Sequence, residues 1–169
     1  MVIDKVENMT FDTLRAMASP EMDSQIKILQ QLAETPDAFR LRFFHLPADL
    51  RLYAKHALLN RWSQNNQVGT VESINIPAFT EKLIDGVQKG NWPCGMKPYE
   101  NCDILVVDDL HLISNRDATQ EEFYARILKP RIENRKLTVL FSECPYEALP
   151  KMIREDLRNI LRLGIANIT

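Results

Sequence analysis

The apolar positions of this chain fall into two alternating periods. Over residues 23–34, Ile26, Leu29 and Leu32 recur at helical spacing, and Asp23 or Ser24 stands where a side-chain cap would sit. Residues 39–46, FRLRFFHL, alternate apolar and basic side chains up to Phe43 and Phe44, as a strand entering a core does, and Pro47 ends the run. From 48 to 62 the positions Leu50, Tyr53, Ala54, Ala57, Leu58 and Trp62 keep a helical period and predict an amphipathic helix. A second strand is expected over 70–76, then a helix that starts at Pro77 and sets Phe79, Leu83 and Val87 on one face. The remaining segments are a strand at 103–109, a helix at 119–133, a strand at 137–142, a helix at 149–160 and an extended piece at 164–168.

Strand and helix thus alternate throughout. That rhythm predicts an α/β fold with a five-stranded parallel sheet covered on both faces, which accounts for ILVV and TVLF being continuous apolar runs. With 169 residues, 45% of them hydrophobic, there is material for one compact domain over 1–169 and not for a second. The 23 acidic and 21 basic residues leave a net charge of -2, without the basic excess that autonomous tight nucleic-acid binding requires. Charges at Asp4, Lys5 and Glu7 interrupt the N-terminus and no apolar run is long enough to span a bilayer, so the expected location is cytoplasmic, with no membrane contact. Cys94, Cys102 and Cys144 lack paired spacing and read as reduced thiols; His45, His56 and His111 lack metal-ligand spacing.

Candidate chemistry sits at residues 104–109. An apolar strand ending in Asp108 and Asp109 sets two carboxylates at the carboxyl edge of a parallel sheet, where ligands bind in such folds, although acids there also serve simply to cap a loop. The continuation, DDLHLISNRDATQEEFY, closely resembles the bacterial DnaA initiator family, in which the Walker B strand runs on to a TQEEFF-like helix start. Thr119 and Glu122 have capping-box spacing at that start. MTFDTL at 9–14, FTEKLI at 79–84, FSECPYEAL and REDLRNILRLGIANI extend the similarity collinearly over nearly the whole chain. The resemblance implies a three-layer AAA+ core of the P-loop NTPase type. It also implies that Asp108 holds Mg²⁺ and that Asp109 orients the water attacking a nucleotide.

The family's phosphate-binding loop does not accompany this acid pair. Wrapping a triphosphate takes glycines, so that successive amides point inward, and a lysine that reaches the terminal phosphates. Five glycines occur, at 69, 86, 90, 95 and 164, and none follows the first strand. The corresponding segment runs from Leu46 to Tyr53, where Pro47 lacks an amide hydrogen and Asp49 brings like charge, so Pro47, Asp49 and Arg51 occupy a degenerate Walker A. Lys55 lies about a turn too late and reads as a lysine snorkelling from the helix surface. Laid on the family's arginine-finger segment and anchored at Gly164, the chain presents Ile160 at the finger, with Arg158 and Arg162 nearby. Glu143 takes the sensor-like position after the fourth strand. Neither the family's helical lid nor its helix-turn-helix domain is expected within 1–169.

These departures predict a DnaA- or Hda-like protein with no cofactor and little catalysis, working through contact with a replication initiator or helicase-loader protein. One alternative is an ATPase in which Asp108 and Asp109 still bind Mg-ATP or ADP through a non-standard loop. Another is a single-stranded DNA module built on Lys89, Trp92 and Lys97, since aromatic and cationic side chains suit stacking and backbone contact; any such DNA contact is expected to be weak. Lys129, Arg131, Arg135 and Lys136 read as cations favoured by the dipole at a helix end.

Overall fold

The structure is a computed structural model that describes residues 8–149 and 153–165. Strands β1 (Leu41–His45), β2 (Val71–Asn75), β3 (Ile104–Asp108) and β4 (Leu137–Ser142) form a parallel sheet in the order β1-β4-β3-β2. Every residue of β4 is buried, and β3 is buried as far as Val107. Inner strands of a parallel sheet lose both faces to covering helices, which is what their unbroken apolar sequence requires. β2 lies at an edge and buries only Ile74.

Among the described residues the sheet has four strands, not the five expected from the sequence. Where the fifth would begin, Ile165 makes a single bridge to Phe43 along the outer side of β1, and residues 166–168 of the expected extended piece lie outside the described residues. The close pass explains Gly164: a Cβ there would lie 2.9 Å from Leu41 Cγ and 3.2 Å from the Phe43 nitrogen.

Helices α1 (Phe11–Met17), α2 (Asp23–Glu34) and α3 (Ala48–Ser63) pack on one face, over Phe44, Ile104, Val106, Val139 and Phe141. The other face, with Leu41, Phe43, Leu105, Val107 and Leu140, is covered by α4 (Ile76–Gln88) and by the helices beyond β3. Successive strand residues point to opposite faces, so β3 feeds both cores in turn. No helix among the described residues is long and apolar enough to cross a membrane.

Several local expectations are corrected. The N-cap of α2 is Met22, with no side-chain cap bond; Asp23 is instead paired with Lys27 one turn on, at 2.7 Å. In α4 the buried face is Ile76, Phe79, Thr80, Leu83 and Gly86, while Val87 is exposed. The amides of Asn91 and Trp92 return to the Gly86 carbonyl, so the Trp92 side chain lies against Gly86. A short helix α5 (Lys97–Asn101) precedes β3.

The capping box at Thr119 and Glu122 does not form, because the helix already starts two residues earlier and both side chains are used in tertiary contacts. Helical structure runs through α6 (Asp117–Glu122), a widened turn at Phe123–Leu128 and α7 (Lys129–Glu133), with Arg116 as N-cap. Thr119 Oγ1 lies 3.3 Å from Thr80 Oγ1, and Glu122 accepts from Trp92 and Arg126. Pro130 has no amide to return to the carbonyl four residues back, and the Lys129 amide bonds to Tyr124, five residues back. The last α-helix among the described residues, α8, spans Glu155–Leu161; Tyr146–Ala148 forms a separate turn, and residues 150–152 of the expected helix lie outside the described residues.

Arg131 stands in the last turn of α7, at a helix end as expected, but it is fully buried, which the sequence reading does not foresee. Its Nε donates to Thr138 Oγ1 at 2.9 Å, and its Nη atoms donate to the carbonyls of Tyr99, Cys102 and Leu137 at 2.9, 2.8 and 2.7 Å. One planar fork thereby ties α5, the start of β3 and the start of β4 together. Burial lowers its pKa.

Asp103, just before β3, accepts from the Thr70 amide at 2.8 Å and from Thr70 Oγ1 at 3.0 Å. The Thr70 bonds, the backbone one foremost, hold its carboxyl below the usual value. A carboxyl depressed in the folded state stabilises above its unfolded pKa and loses that contribution as pH falls through the folded one. Asp103→Asn is therefore expected to weaken the fold at neutral pH and to flatten its acid-side loss, read as melting temperature against pH below the ordinary carboxylate range. Equal slopes for the two proteins would refute this.

Candidate functional site

The carboxyl edge of the sheet brings the predicted acid pair together with the segment following β1. Asp108 ends β3, opposite Asn75 of β2. Asp109 follows with φ 57°, a left-handed conformation that aspartate tolerates better than most residues, and its amide donates to Asp108 Oδ1 at 2.7 Å. The turn sets both carboxylates toward the first turn of α3.

Only Leu46 and Pro47 connect β1 to α3. The Leu46 side chain is buried and its amide donates to the Ser142 carbonyl at 3.1 Å, extending the ladder with β4. Pro47 is exposed and serves as N-cap without a side-chain bond; Asp49 is exposed. Of the three residues expected in the degenerate loop, Arg51 alone turns inward.

Side chains on a helix lean toward its N-terminus, so Arg51, in the first turn of α3, reaches back over the strand ends. It is 5% exposed. Its Nε donates to Asp108 Oδ1 at 3.2 Å, its Nη2 to Asp109 Oδ1 at 3.0 Å and its Nη1 to the Leu46 carbonyl at 3.3 Å. Lys55, one turn on, places Nζ 3.7 Å from Asp108 Oδ2, so it is not the free surface lysine expected from the sequence. Glu143 stands at the rim, with Oε2 3.7 Å from Arg51 Nη1. His111 joins this group as well, its Nδ1 accepting from the Glu143 amide at 3.2 Å. The result is a layered charge cluster: two carboxylates shared by two cations, under a third carboxylate open to solvent.

The other candidates are dispersed. Ile160, half-buried, packs against the core. Arg162 Nε donates to the Tyr146 hydroxyl, which donates in turn to the Arg158 carbonyl. The Trp92 indole N–H donates to Glu122 at 3.0 Å, its ring meets the edge of Phe79, and Arg126 lies 5.6 Å from its centroid. Lys89 is paired with Asp85, and Lys97 is exposed at the start of α5. Trp92 is thus half-buried against the core, with its indole N–H committed to Glu122.

Sequence reasoning missed the partnership of Arg51 with the acids. A signal for it existed: Arg51 precedes Ala54, Leu58 and Trp62 by three, seven and eleven positions, which places it on the buried stripe of α3.

Comparison with known proteins agrees with this architecture. A profile of the bacterial DnaA ATPase domain matches residues 6–167. The chromosomal replication initiator protein DnaA of Symbiobacterium thermophilum is 28% identical over 115 residues, covering 68% of this chain and 25% of that protein. The chain therefore spans about a quarter of the length of that curated relative. Domain III of the Thermotoga maritima replication initiation protein DnaA superposes with a TM-score of 0.83 at 18% identity, over 94% of this chain and 65% of that one. AMPPCP-bound DnaA from Aquifex aeolicus gives 0.81 at 16% identity, over 95% and 50%. A parallel α/β core with an acid pair at its carboxyl edge, matched end to end by that profile, makes this chain a member of the bacterial DnaA ATPase domain family.

Proposed function

We propose that this chain is a DnaA-like module of replication initiation or its regulation that works through protein contacts and not through nucleotide turnover. The observation that carries this reading is the two-residue connection between β1 and α3. A phosphate cradle needs several consecutive inward-facing amides ahead of a helix N-terminus. Here Leu46 has its amide committed to Ser142, Pro47 has none, and the helix begins at once. Asp108 and Asp109, the residues that would hold Mg²⁺, already have Arg51 and Lys55 as partners. Mg-nucleotide and these residues do not fit one another. What remains is a folded core surface, and kinship with initiators makes an initiator or a helicase loader the fitting partner.

Two measurements test this. A ligand held at about 100 times its Kd stabilises by roughly 2.7 kcal/mol, which for a domain of this size is a rise of several degrees. Melting curves with millimolar Mg-ATP or Mg-ADP are expected to match those without nucleotide, and a rise of several degrees would sink the proposal. Retention of the host's initiator or helicase loader on the immobilised protein, unchanged by ATP, is the positive result expected. Failure to retain either one would remove the protein-contact half of the reading.

A further inference from the structure

We infer that Arg51 is the resident cation of the Asp108 and Asp109 pair, a fixed internal counter-ion that bars a divalent metal from the carboxyl edge of the sheet. This deepens the reading above and rests on it. Three observations converge. First, the guanidinium engages both acids at once, Nε on Asp108 and Nη2 on Asp109, while Nη1 is held by the Leu46 carbonyl. A planar fork satisfied on three sides is anchored far more firmly than a surface ion pair. Second, Arg51 is buried and stands in the first turn of α3, which is joined to β1 by two residues, so its backbone is held close to the strand ends. Third, among the described residues no group of three His, Cys, Asp or Glu side chains is arranged to hold a metal ion; the carboxylates of Asp108, Asp109 and Glu143 are spread around the guanidinium.

Three carboxylates face two cations, Arg51 and Lys55. Removing the guanidinium leaves three carboxylates facing one ammonium, an excess of negative charge that attracts a small hard cation. Substitution by lysine keeps the charge and should keep the metal out.

Mn²⁺ titrations followed by electron paramagnetic resonance, using the intact chain, test this. Wild type and Arg51→Lys are expected to leave Mn²⁺ free up to millimolar concentration. Arg51→Met is expected to bind one Mn²⁺ at least tenfold more tightly than wild type and to melt several degrees higher in about 10 mM Mg²⁺ than without it. Asp108→Asn in the Arg51→Met background should abolish both effects. Wild type binding Mn²⁺ as well as Arg51→Met, or a folded Arg51→Met indifferent to Mn²⁺ and Mg²⁺, would overturn the inference. Should Arg51→Met not fold, the wild-type Arg51 Nε–H proton decides: slow exchange with water, unmoved by Mg²⁺, supports the inference, and fast exchange or a Mg²⁺-induced shift refutes it. A nucleotide-induced rise in melting temperature bears on the proposed function, and metal uptake bears on Arg51, so the two failures are told apart.

Discussion

Arg131→Met is expected to lose about 3–5 kcal/mol of stability, on the order of 10 °C in melting temperature, more than substitutions on the solvent face of the same helix. Methionine fills similar volume, so the loss comes from the acceptors left behind. Tyr99, Cys102 and Leu137 each lose a donor to a backbone carbonyl, and Thr138 loses its side-chain partner inside β4. Buried polar groups without partners cost about 1–3 kcal/mol each, which several such groups together readily reach even after partial relaxation. Arg131→Lys should recover little, because a single ammonium cannot span acceptors arranged for a planar fork. Urea denaturation measures both variants, and a loss under about 1 kcal/mol for Arg131→Met would show that the interior cation is incidental.

The second large effect is expected at Asp108, and its sign is the informative part. Two adjacent carboxylates poised for catalysis repel each other, and neutralising one commonly stabilises the fold at the expense of activity. In this chain Asp108 is only 14% exposed and is contacted by both Arg51 and Lys55. Asp108→Asn leaves a buried guanidinium with one anionic partner fewer, so a loss of about 3 kcal/mol is expected. Asp109→Asn should cost less, since Asp109 is 27% exposed and pairs with Arg51 alone. If Asp108→Asn instead raises the denaturation midpoint, the acid pair is held under strain and the counter-ion account fails.

What could be read in the sequence, and what could not, divides along contact range. The α2 and β4 boundaries follow from local periodicity, because a helix stripe and a doubly buried strand are each written in consecutive residues. Asp108 and Asp109 were likewise visible, since a strand end is a local feature. The capping box failed for the opposite reason: the Thr119 hydroxyl meets Thr80, 39 residues away, and Glu122 meets Trp92, 30 away. No local rule foresees those competitors. Arg131 lay hidden in the same way, its acceptors Tyr99 and Cys102 standing about 30 residues upstream in a different element. Arg51 was placed correctly in the segment after β1, yet its partners are 57 and 58 residues on, and only its position on the apolar stripe of α3 hinted that it pointed inward.

The short joint between β1 and α3 also constrains how this surface can change over evolutionary time. Replacing residues within it leaves its span untouched, because each residue supplies at most about 3.6 Å of reach. Inserting residues would provide new amides for an anion, but it would also carry the first turn of α3, and Arg51 with it, away from Asp108 and Asp109. Acquiring the one arrangement and surrendering the other is therefore a single event.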